Sequence, residues 1–481
     1  MIDLRPFSKF NDSDSPLGTK LEKIFGIDLR SLALFRIALA LLILADLIHR
    51  TQDLVAHYSD QGILPRSSLI DLSSGRYVFL SLHLLSGSPA YQAFLFCLAG
   101  LFALALLMGY RTRLAALLSW IFLLSLHERN PFVLNHGDRL LRMLLFWSLF
   151  LPLGARFSLD NRLHRLQAKP PKRILTAATL ALYGQMALFY WFAGLHKLQW
   201  AEWRSEGTAV FYALHMVEFA QPMGIYLLKF PALLKTLTHL VLMYNFVGPA
   251  LLLAPVLTDF CRLLALSLFW FMHLSFGICL EVGLFSWIAS AAMLPFLPSV
   301  VWDRAHGRRE TPTGNSPAPG QVSPAMNCLA GFFLLYISLW NSADYFNYLS
   351  KIPAPLRWVG TKLMIYQSWP MFSPHLSNYT SGWFAVSGTL ADGKKVNLAL
   401  PHSSMDLARP AQNIASYTNF RWKYYLIFMK SKKKNADLWN SFTNYFCRDW
   451  KSRHPEDSAG LQEIQVIFKR DVLWRGQCEW E

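Results

Sequence analysis

The amino-acid sequence predicts an all-α polytopic membrane bundle of about eight or nine transmembrane helices, followed by a small α+β soluble C-terminal domain. Of the 481 residues, 53% are hydrophobic and only 16% are charged, whereas ordinary soluble domains contain about 25% charged residues. The deficit is uneven. Apolar stretches recur from Ser31 to Pro298, while the chain from Lys351 onward has the composition of a soluble domain.

The individual spans follow from the length of each apolar stretch, because a membrane-spanning helix needs about 20 mostly apolar residues. Such stretches cover residues 31–49, 90–109, 114–128, 139–153, 174–196, 233–256, 260–281, 283–298 and 325–347. The third, fourth and eighth are short, so each could be tilted, re-entrant or buried within the bundle. The sequence therefore leaves the number of spans open by about one or two.

Basic residues in the loops predict the orientation. Lys and Arg are concentrated after spans two, four and eight, and all three loops fall on one side of the membrane, with the N-terminus. The positive-inside rule places that side in the cytoplasm, and it also explains the net charge of +16 without nucleic acid as a partner. The predicted organisation, in the plasma membrane, is a cytoplasmic N-terminal segment (1–30), a transmembrane domain (31–300), a cytoplasmic linker (301–324), a last helix (325–347) and an extracytoplasmic domain (348–481).

Turn signals and side-chain patterns divide the C-terminal domain further. The aromatic, proline-punctuated segment Ile365–Pro374 is predicted to lie at the membrane surface. Residues Gly382–Leu400 form two strands joined around Ala391-Asp392-Gly393, a sequence typical of a hairpin turn. A helix is expected at Asp437–Arg453 and a strand at Ile464–Phe468. No catalytic motif is evident in this domain.

Cysteine and histidine spacing bounds the covalent and metal chemistry. Cys447 and Cys478 form a plausible disulfide in an oxidising compartment, and two unpaired thiols are the alternative. No group of His and Cys residues has the spacing of metal ligands, so no metal is expected.

Polar residues at membrane depth are costly and are therefore candidate functional sites. Asn135, His136 and Asp138 place an amide, an imidazole and a carboxylate together at the outer ends of spans three and four. The structural alternative is a capped helix start, with Asn135 or Asp138 as the N-cap and Gly137 in the turn.

Lys197 follows the apolar fifth span directly. Such a lysine often extends its ammonium group to the interface. In a dry site, burial and a protonated His196 would instead favour the neutral amine, whereas nearby Glu202 or Glu206 would oppose this. In span seven, His273 either binds a ligand or hydrogen-bonds a neighbouring helix.

A third polar group follows His273 and contains Glu281, Gly283, Phe285 and Trp287. In the predicted topology His136, Lys197 and Glu281 all fall near the outer face. This convergence on one depth is what a single outward-facing site would need.

Ordered motifs also carry a family resemblance. They are Ser31-Leu-Ala-Leu-Phe-Arg36 with Asp46, Met108-Gly-Tyr-Arg111, Asn135-His136, Ala193-Gly-Leu-His-Lys-Leu198, and His273 ten residues before Gly283-Leu-Phe-Ser-Trp287. Over residues 27–300 the sequence resembles the vitamin K-dependent gamma-glutamyl carboxylase and its bacterial relatives, the horizontally transferred transmembrane (HTTM) domain proteins.

The resemblance implies a chemistry. In the carboxylase, a lysine base deprotonates reduced vitamin K, oxygen adds, and the resulting strong base takes a proton from glutamate before carbon dioxide attacks. By resemblance, Lys197 is the catalytic base, His136 is a catalytic residue that contacts the quinone, and His273 and Trp287 are cofactor-binding. The implied cofactor is reduced vitamin K or another hydroquinone, and the implied partner is an extracytoplasmic protein or peptide substrate.

The sequence departs from the carboxylase in three places. His196 replaces a second lysine, the loop from Lys197 to Trp203 is one residue longer, and the C-terminal domain is far shorter. The alternative function is a non-catalytic membrane factor that binds a lipid, quinone or peptide and an extracytoplasmic partner.

Overall fold

The computed structural model describes residues 16–73, 81–163, 172–305, 323–373, 376, 381–398, 419–431, 435–455 and 460–470.

The first part of the chain is almost wholly helical. Its α-helices are α1 (Pro16–Phe25), α2 (Leu29–Thr51), α3 (Leu54–Tyr58), α4 (Arg66–Ser73), α5 (Pro89–Met108), α6 (Thr112–Arg129), α7 (His136–Ser148), α8 (Leu159–Leu163), α9 (Ala177–Leu198), α10 (Ala201–Arg204), α11 (Ala209–His215), α12 (Pro222–Leu227), α13 (Pro231–Leu252), α14 (Thr258–Cys279), α15 (Phe285–Ala291), α16 (Ser299–Ala305), α17 (Pro324–Tyr345) and α18 (Ala354–Lys362).

Short elements connect these helices. The 3-10 helices are Leu82–Leu84, Pro131–Val133, Leu294–Phe296 and Leu349–Lys351, and the two-residue strands β1 (Ile27–Asp28) and β2 (Arg173–Ile174) pair antiparallel. The main helices pack as pairs, α2 against α5, α5 against α6, α9 against α13 and α17, and α13 against α14. Their apolar side chains form one continuous core.

The number of spans is only partly supported. Within the described residues, four helices are long and apolar enough to cross a membrane, namely α2, α5, α14 and α17. The stretch Phe285–Phe296 with Ser299–Ala305 would make a fifth if counted as one span, although it bends by 86°. The predicted count of eight or nine is therefore not confirmed. Helix α7 has 13 residues, about 20 Å of helix, which is shorter than a hydrocarbon core of about 30 Å.

The motif that ends at Arg36 and the motif that contains Gly109 meet at one end of the bundle, where their contacts stabilise the fold. Arg36 is fully buried, and its guanidinium donates to the carbonyl oxygens of Leu153 at 3.0 Å and Phe157 at 2.5 Å. Gly109 ends α5 at a φ of +68°, and a Cβ there would lie 2.7 Å from the Arg36 guanidinium. The Leu-Phe-Arg36 motif therefore packs against the Met108-Gly109 motif, and the contact requires glycine at position 109.

Ion pairs and backbone pairing also join the basic loops at this end. Lys172 Nζ lies 2.5 Å from Asp303 Oδ2, and Arg30 lies 3.1 Å from Asp303 Oδ1. The pairing of Ile27 with Ile174 brings the start of α2 beside the start of α9. The C-terminal part of the chain packs against the opposite end, where Arg421 contacts Asp46 and Asp138.

The C-terminal part contains a three-stranded antiparallel sheet in the order β4-β3-β5, with two helices. Its elements are β3 (Gly382–Leu390), β4 (Lys395–Asn397), α19 (Phe420–Ser431), α20 (Ala436–Arg453) and β5 (Leu461–Arg470). The predicted hairpin, helix and last strand are confirmed. Helix α19 was not predicted from the sequence. Cys447 lies on α20, while Cys478 lies outside the described residues, so the disulfide stays a prediction.

The described part of the segment Ile365–Pro374, residues 365–373, is buried by the surrounding helices, and Pro374 lies outside the described residues. Ile365, Gln367 and Trp369 are all fully buried, so these residues pack among the helices, and the position of the segment at the membrane surface stays a prediction. Gln367 and Gln185 of α9 exchange two amide hydrogen bonds, of 2.7 and 2.9 Å. This pairing makes burial of the segment possible, because buried polar groups are stable only when they are hydrogen-bonded.

Candidate functional site

Lys197 lies in the last turn of α9, one residue beyond the predicted span, and only 6% of it is exposed. Its Nζ donates to the carbonyl oxygen of Ala193 at 3.3 Å and lies 5.3 Å from the centre of the Trp203 ring. Among the described residues, no carboxylate lies within ion-pair distance of this nitrogen. Burial alone lowers the pKa of Lys197 to about 7. The lysine is therefore held inside the protein and does not extend to the interface.

Of the two features expected to lower the pKa of Lys197, burial contributes and His196 does not. His196 points toward α17, with Nε2 3.6 Å from Asp344 Oδ2 and its ring edge-on to Tyr345. Glu206 accepts a hydrogen bond from Thr208 at 3.1 Å. Burial, and not a positive charge on His196, is thus what lowers the pKa of Lys197.

His136 is the first residue of α7 and is partly buried. A capping box surrounds it. The Asn135 side chain accepts from the backbone N–H groups of Gly137 at 2.7 Å and Asp138 at 3.1 Å, and Asp138 accepts from the Asn135 N–H at 2.8 Å. The cap interpretation of Asn135 and Asp138 is therefore confirmed. Burial, with the positive charges of Arg139 and Lys197 added, lowers the pKa of His136 to about 3, so the imidazole is neutral.

The buried segment around Trp369 joins the surroundings of the two residues. The Trp369 ring lies 6.2 Å from the His136 ring and 4.7 Å from the ring of Phe189 on α9. Further along the segment, the Phe372 carbonyl oxygen accepts from Trp203 Nε1 at 2.6 Å. Since Trp203 also faces Lys197, the segment forms a wall that extends from His136 to Lys197.

His273 lies on α14 and is 2% exposed. Its Nε2 is 2.7 Å from the hydroxyl of Tyr190, which lies on α9 two turns before Lys197. This bond matches the structural alternative for His273. Nδ1 of the same ring is buried and has no hydrogen-bond partner in the part of the chain that the structure describes. The ring centre of Phe285 lies 5.7 Å from that of His273. A Cβ on Gly137 would lie 2.9 Å from the Phe285 Cα, so Phe285 joins His273 to the His136 turn.

Two sequence candidates lie apart from this cluster. Trp287 is 59% exposed, and the ring contacts described above do not include it. The carboxylate of Glu281 accepts from Gln221 Nε2 at 3.3 Å and from the Gly283 N–H at 3.2 Å. Glu281 therefore fixes a turn near the His136 end of the bundle. The structure brings His136, His273 and Lys197 around one aromatic group of side chains, without Trp287.

An ion-pair cluster beside His136 was not found from the sequence. Arg50 lies 2.7 Å from Asp46 and 2.6 Å from Asp138, and Arg421 contacts the same two carboxylates. With His127, the two aspartates have the residue types and the spacing of metal ligands. Each carboxylate already binds both guanidinium groups, however, so the two positive charges balance the two negative charges. This arrangement is an ion-pair cluster and does not fit a metal site.

The apolar helices and their buried polar clusters define an integral membrane protein. A family model, the HTTM domain, matches residues 26–302, which is more than half of the chain. The chain therefore belongs to the HTTM domain family. No curated protein and no solved structure matches it.

Proposed function

We propose that the protein is a membrane enzyme that uses a reduced quinone, with Lys197 as the base and His136 as the residue that positions the quinone oxygen. The observation that carries the proposal is a lysine that is 6% exposed and without a carboxylate partner among the described residues. Such a lysine is neutral in an appreciable fraction near pH 7, which a base requires and which an ordinary lysine does not provide.

The surrounding residues suit a hydroquinone. The rings of Phe189, Trp369 and Phe285 offer an apolar wall for an aromatic head group, and the neutral His136 offers one hydrogen-bond donor and one acceptor. The unpartnered Nδ1 of His273 is a further polar atom beside this wall. A reduced vitamin K or another hydroquinone would supply an oxidisable ring. Nζ of Lys197 would accept the proton of one ring hydroxyl and become an ammonium group.

The site lies at the end of the bundle that carries the C-terminal part of the chain. We propose that this end is extracytoplasmic, that the N-terminus is cytoplasmic and that the protein resides in the plasma membrane as a multi-pass protein. A protein or peptide substrate would then reach the site from outside the cytoplasm. Cysteine accessibility scanning would contradict the topology if positions near Lys172 and positions in the 430s were labelled from the same side.

The experiment that tests the enzyme proposal is turnover by the purified protein in lipid nanodiscs, supplied with vitamin K hydroquinone and oxygen. Oxygen uptake and quinone epoxide are measured for the wild type, Lys197→Ala and Lys197→Arg. We expect both variants to be inactive, because alanine removes the base and a guanidinium group does not deprotonate. Lys229→Ala, which removes an exposed lysine, is the matched control and should keep full activity.

Two outcomes would count against the proposal. Full activity of Lys197→Arg would show that Lys197 is not the base, because a guanidinium group does not deprotonate. A wild-type protein that binds the hydroquinone but consumes neither it nor oxygen would support the alternative function, a non-catalytic membrane factor.

A further inference from the structure

Helix α19 of the C-terminal part begins directly over the His136 end of the bundle. Two of its charged residues are buried, Arg421 at 3% and Lys423 at 1% exposure. Lys423 Nζ donates to the carbonyl oxygens of Glu218 at 2.8 Å and Glu281 at 3.0 Å. Close packing continues at Gly283, where a Cβ would lie 2.8 Å from the Phe420 ring. The start of α19 thus contributes charged side chains to the interior of the bundle.

Arg421 makes contacts that lead toward His136. Its guanidinium donates to Asp138 Oδ1 at 3.2 Å, to the Val133 carbonyl oxygen at 3.1 Å and to Asp46. With Arg50, it balances the two buried carboxylates. Removal of one guanidinium would leave an excess negative charge in a buried cluster, which is strongly unfavourable.

Asp138 connects Arg421 to the first turn of α7 through hydrogen bonds. Its second oxygen, Oδ2, accepts from the Asn135 N–H at 2.8 Å, and Asn135 in turn caps the N–H groups of Gly137 and Asp138. His136 lies within this capping box, so the direction of its side chain depends on the box. The Val133 carbonyl that Arg421 also binds belongs to the turn that leads into the box.

We infer that Arg421 is a positioning residue of the site, because it holds Asp138 and thereby fixes the first turn of α7 from which His136 extends. The meaning of this role for catalysis rests on the proposed function. The C-terminal part of the chain then completes the site and is more than an appended domain.

The test compares Arg421→Met with Arg448→Met in the full-length protein in nanodiscs. Arg448 is a matched control, because it also reaches from the C-terminal part to the bundle, where it donates to the Gln61 carbonyl oxygen at 2.6 Å, and it does not contact the ion-pair cluster. The first measurement is the rate at which diethyl pyrocarbonate modifies His136, followed by peptide mass spectrometry. The second is kcat and KM for hydroquinone turnover.

We expect Arg421→Met to raise the modification rate of His136 severalfold and to lower kcat by about a hundredfold, since displacement of a catalytic group by about 1 Å has an effect of that size. Arg448→Met should change neither. Arg421→Lys keeps the positive charge but has fewer hydrogen-bond donors, so its His136 modification rate and its kcat should lie between those of the wild type and Arg421→Met. This variant also provides the test if the methionine variant does not fold.

The two measurements separate this inference from the proposed function. If the wild type shows no turnover but His136 becomes more reactive only in the Arg421 variants, the proposed function fails and the positioning role stands. If the wild type turns over hydroquinone while Arg421→Met and Arg448→Met have the same His136 reactivity and the same kcat, the positioning role is wrong.

Discussion

Replacement of Lys197 by methionine should stabilise the folded protein at low and neutral pH. Methionine keeps a long flexible side chain but has no charge to bury. In the folded state the pKa of Lys197 falls from its ordinary value of 10.5 to about 7 because the site excludes water. At about 1.36 kcal/mol for each pKa unit, the wild-type lysine therefore lowers the free energy of unfolding by at most about 5 kcal/mol.

The pH dependence of this difference has a definite sign. Because the folded-state pKa lies below the unfolded-state pKa, the unfolded protein binds more protons between about pH 7 and 10.5, and wild-type stability rises with pH across that window. Lys197→Met lacks this group. Its advantage over the wild type should be largest below pH 7 and should disappear as the pH approaches 10.5.

Thermal unfolding in detergent, followed by intrinsic tryptophan fluorescence at several pH values between 6 and 10, measures this difference. Lys229→Met is the control, because Lys229 is exposed and its replacement should leave the unfolding temperature unchanged at every pH. A Lys197→Met variant that is less stable than the wild type at pH 6.5 would refute the reasoning. That result would mean that the buried ammonium group has a stabilising partner.

Three further predictions concern other parts of the molecule. His273→Phe should lower the free energy of unfolding by about 1–3 kcal/mol, because it leaves the buried Tyr190 hydroxyl without its partner, and Tyr190→Phe combined with it should restore part of the loss in the same thermal assay. Asp138→Asn should cost about 3–5 kcal/mol, because two buried guanidinium groups lose a counter-charge. A disulfide between Cys447 and Cys478 should stabilise the protein by about 3 kcal/mol, and thiol labelling of both cysteines in the denatured, non-reduced protein would exclude it.

Helix positions were predictable from sequence because each apolar stretch is a local property. The nine predicted stretches all overlap helical segments, and the eighth, residues 283–298, overlaps the short helix α15 and the 3-10 helix Leu294–Phe296. The number of membrane spans was not predictable from the sequence, because apolar composition does not distinguish a helix that faces lipid from one that is surrounded by protein. Helix α7 shows the difficulty, because nearly all of its residues are buried within the bundle.

The candidate site was predictable only in part, for a similar reason. Lys197 and His136 stand out in the sequence because polar residues interrupt or end apolar stretches. Trp369 and Arg421 do not stand out, since their roles depend on contacts with residues more than 150 positions away along the chain. The aromatic composition of Ile365–Pro374 was visible, but its burial depends on the pairing of Gln367 with Gln185, which no local pattern reveals.

The base role of Lys197 is tested most directly by chemical rescue of Lys197→Ala with a series of small primary amines of different pKa. The variant removes the side chain from a site that is 6% exposed and leaves a space beside Trp203 in which a small amine fits. If Lys197 is the base, hydroquinone turnover should return in proportion to the concentration of the neutral amine, and it should rise with amine basicity for amines of similar size. Absence of rescue by every amine, or rescue that follows the charged form, would contradict the assignment.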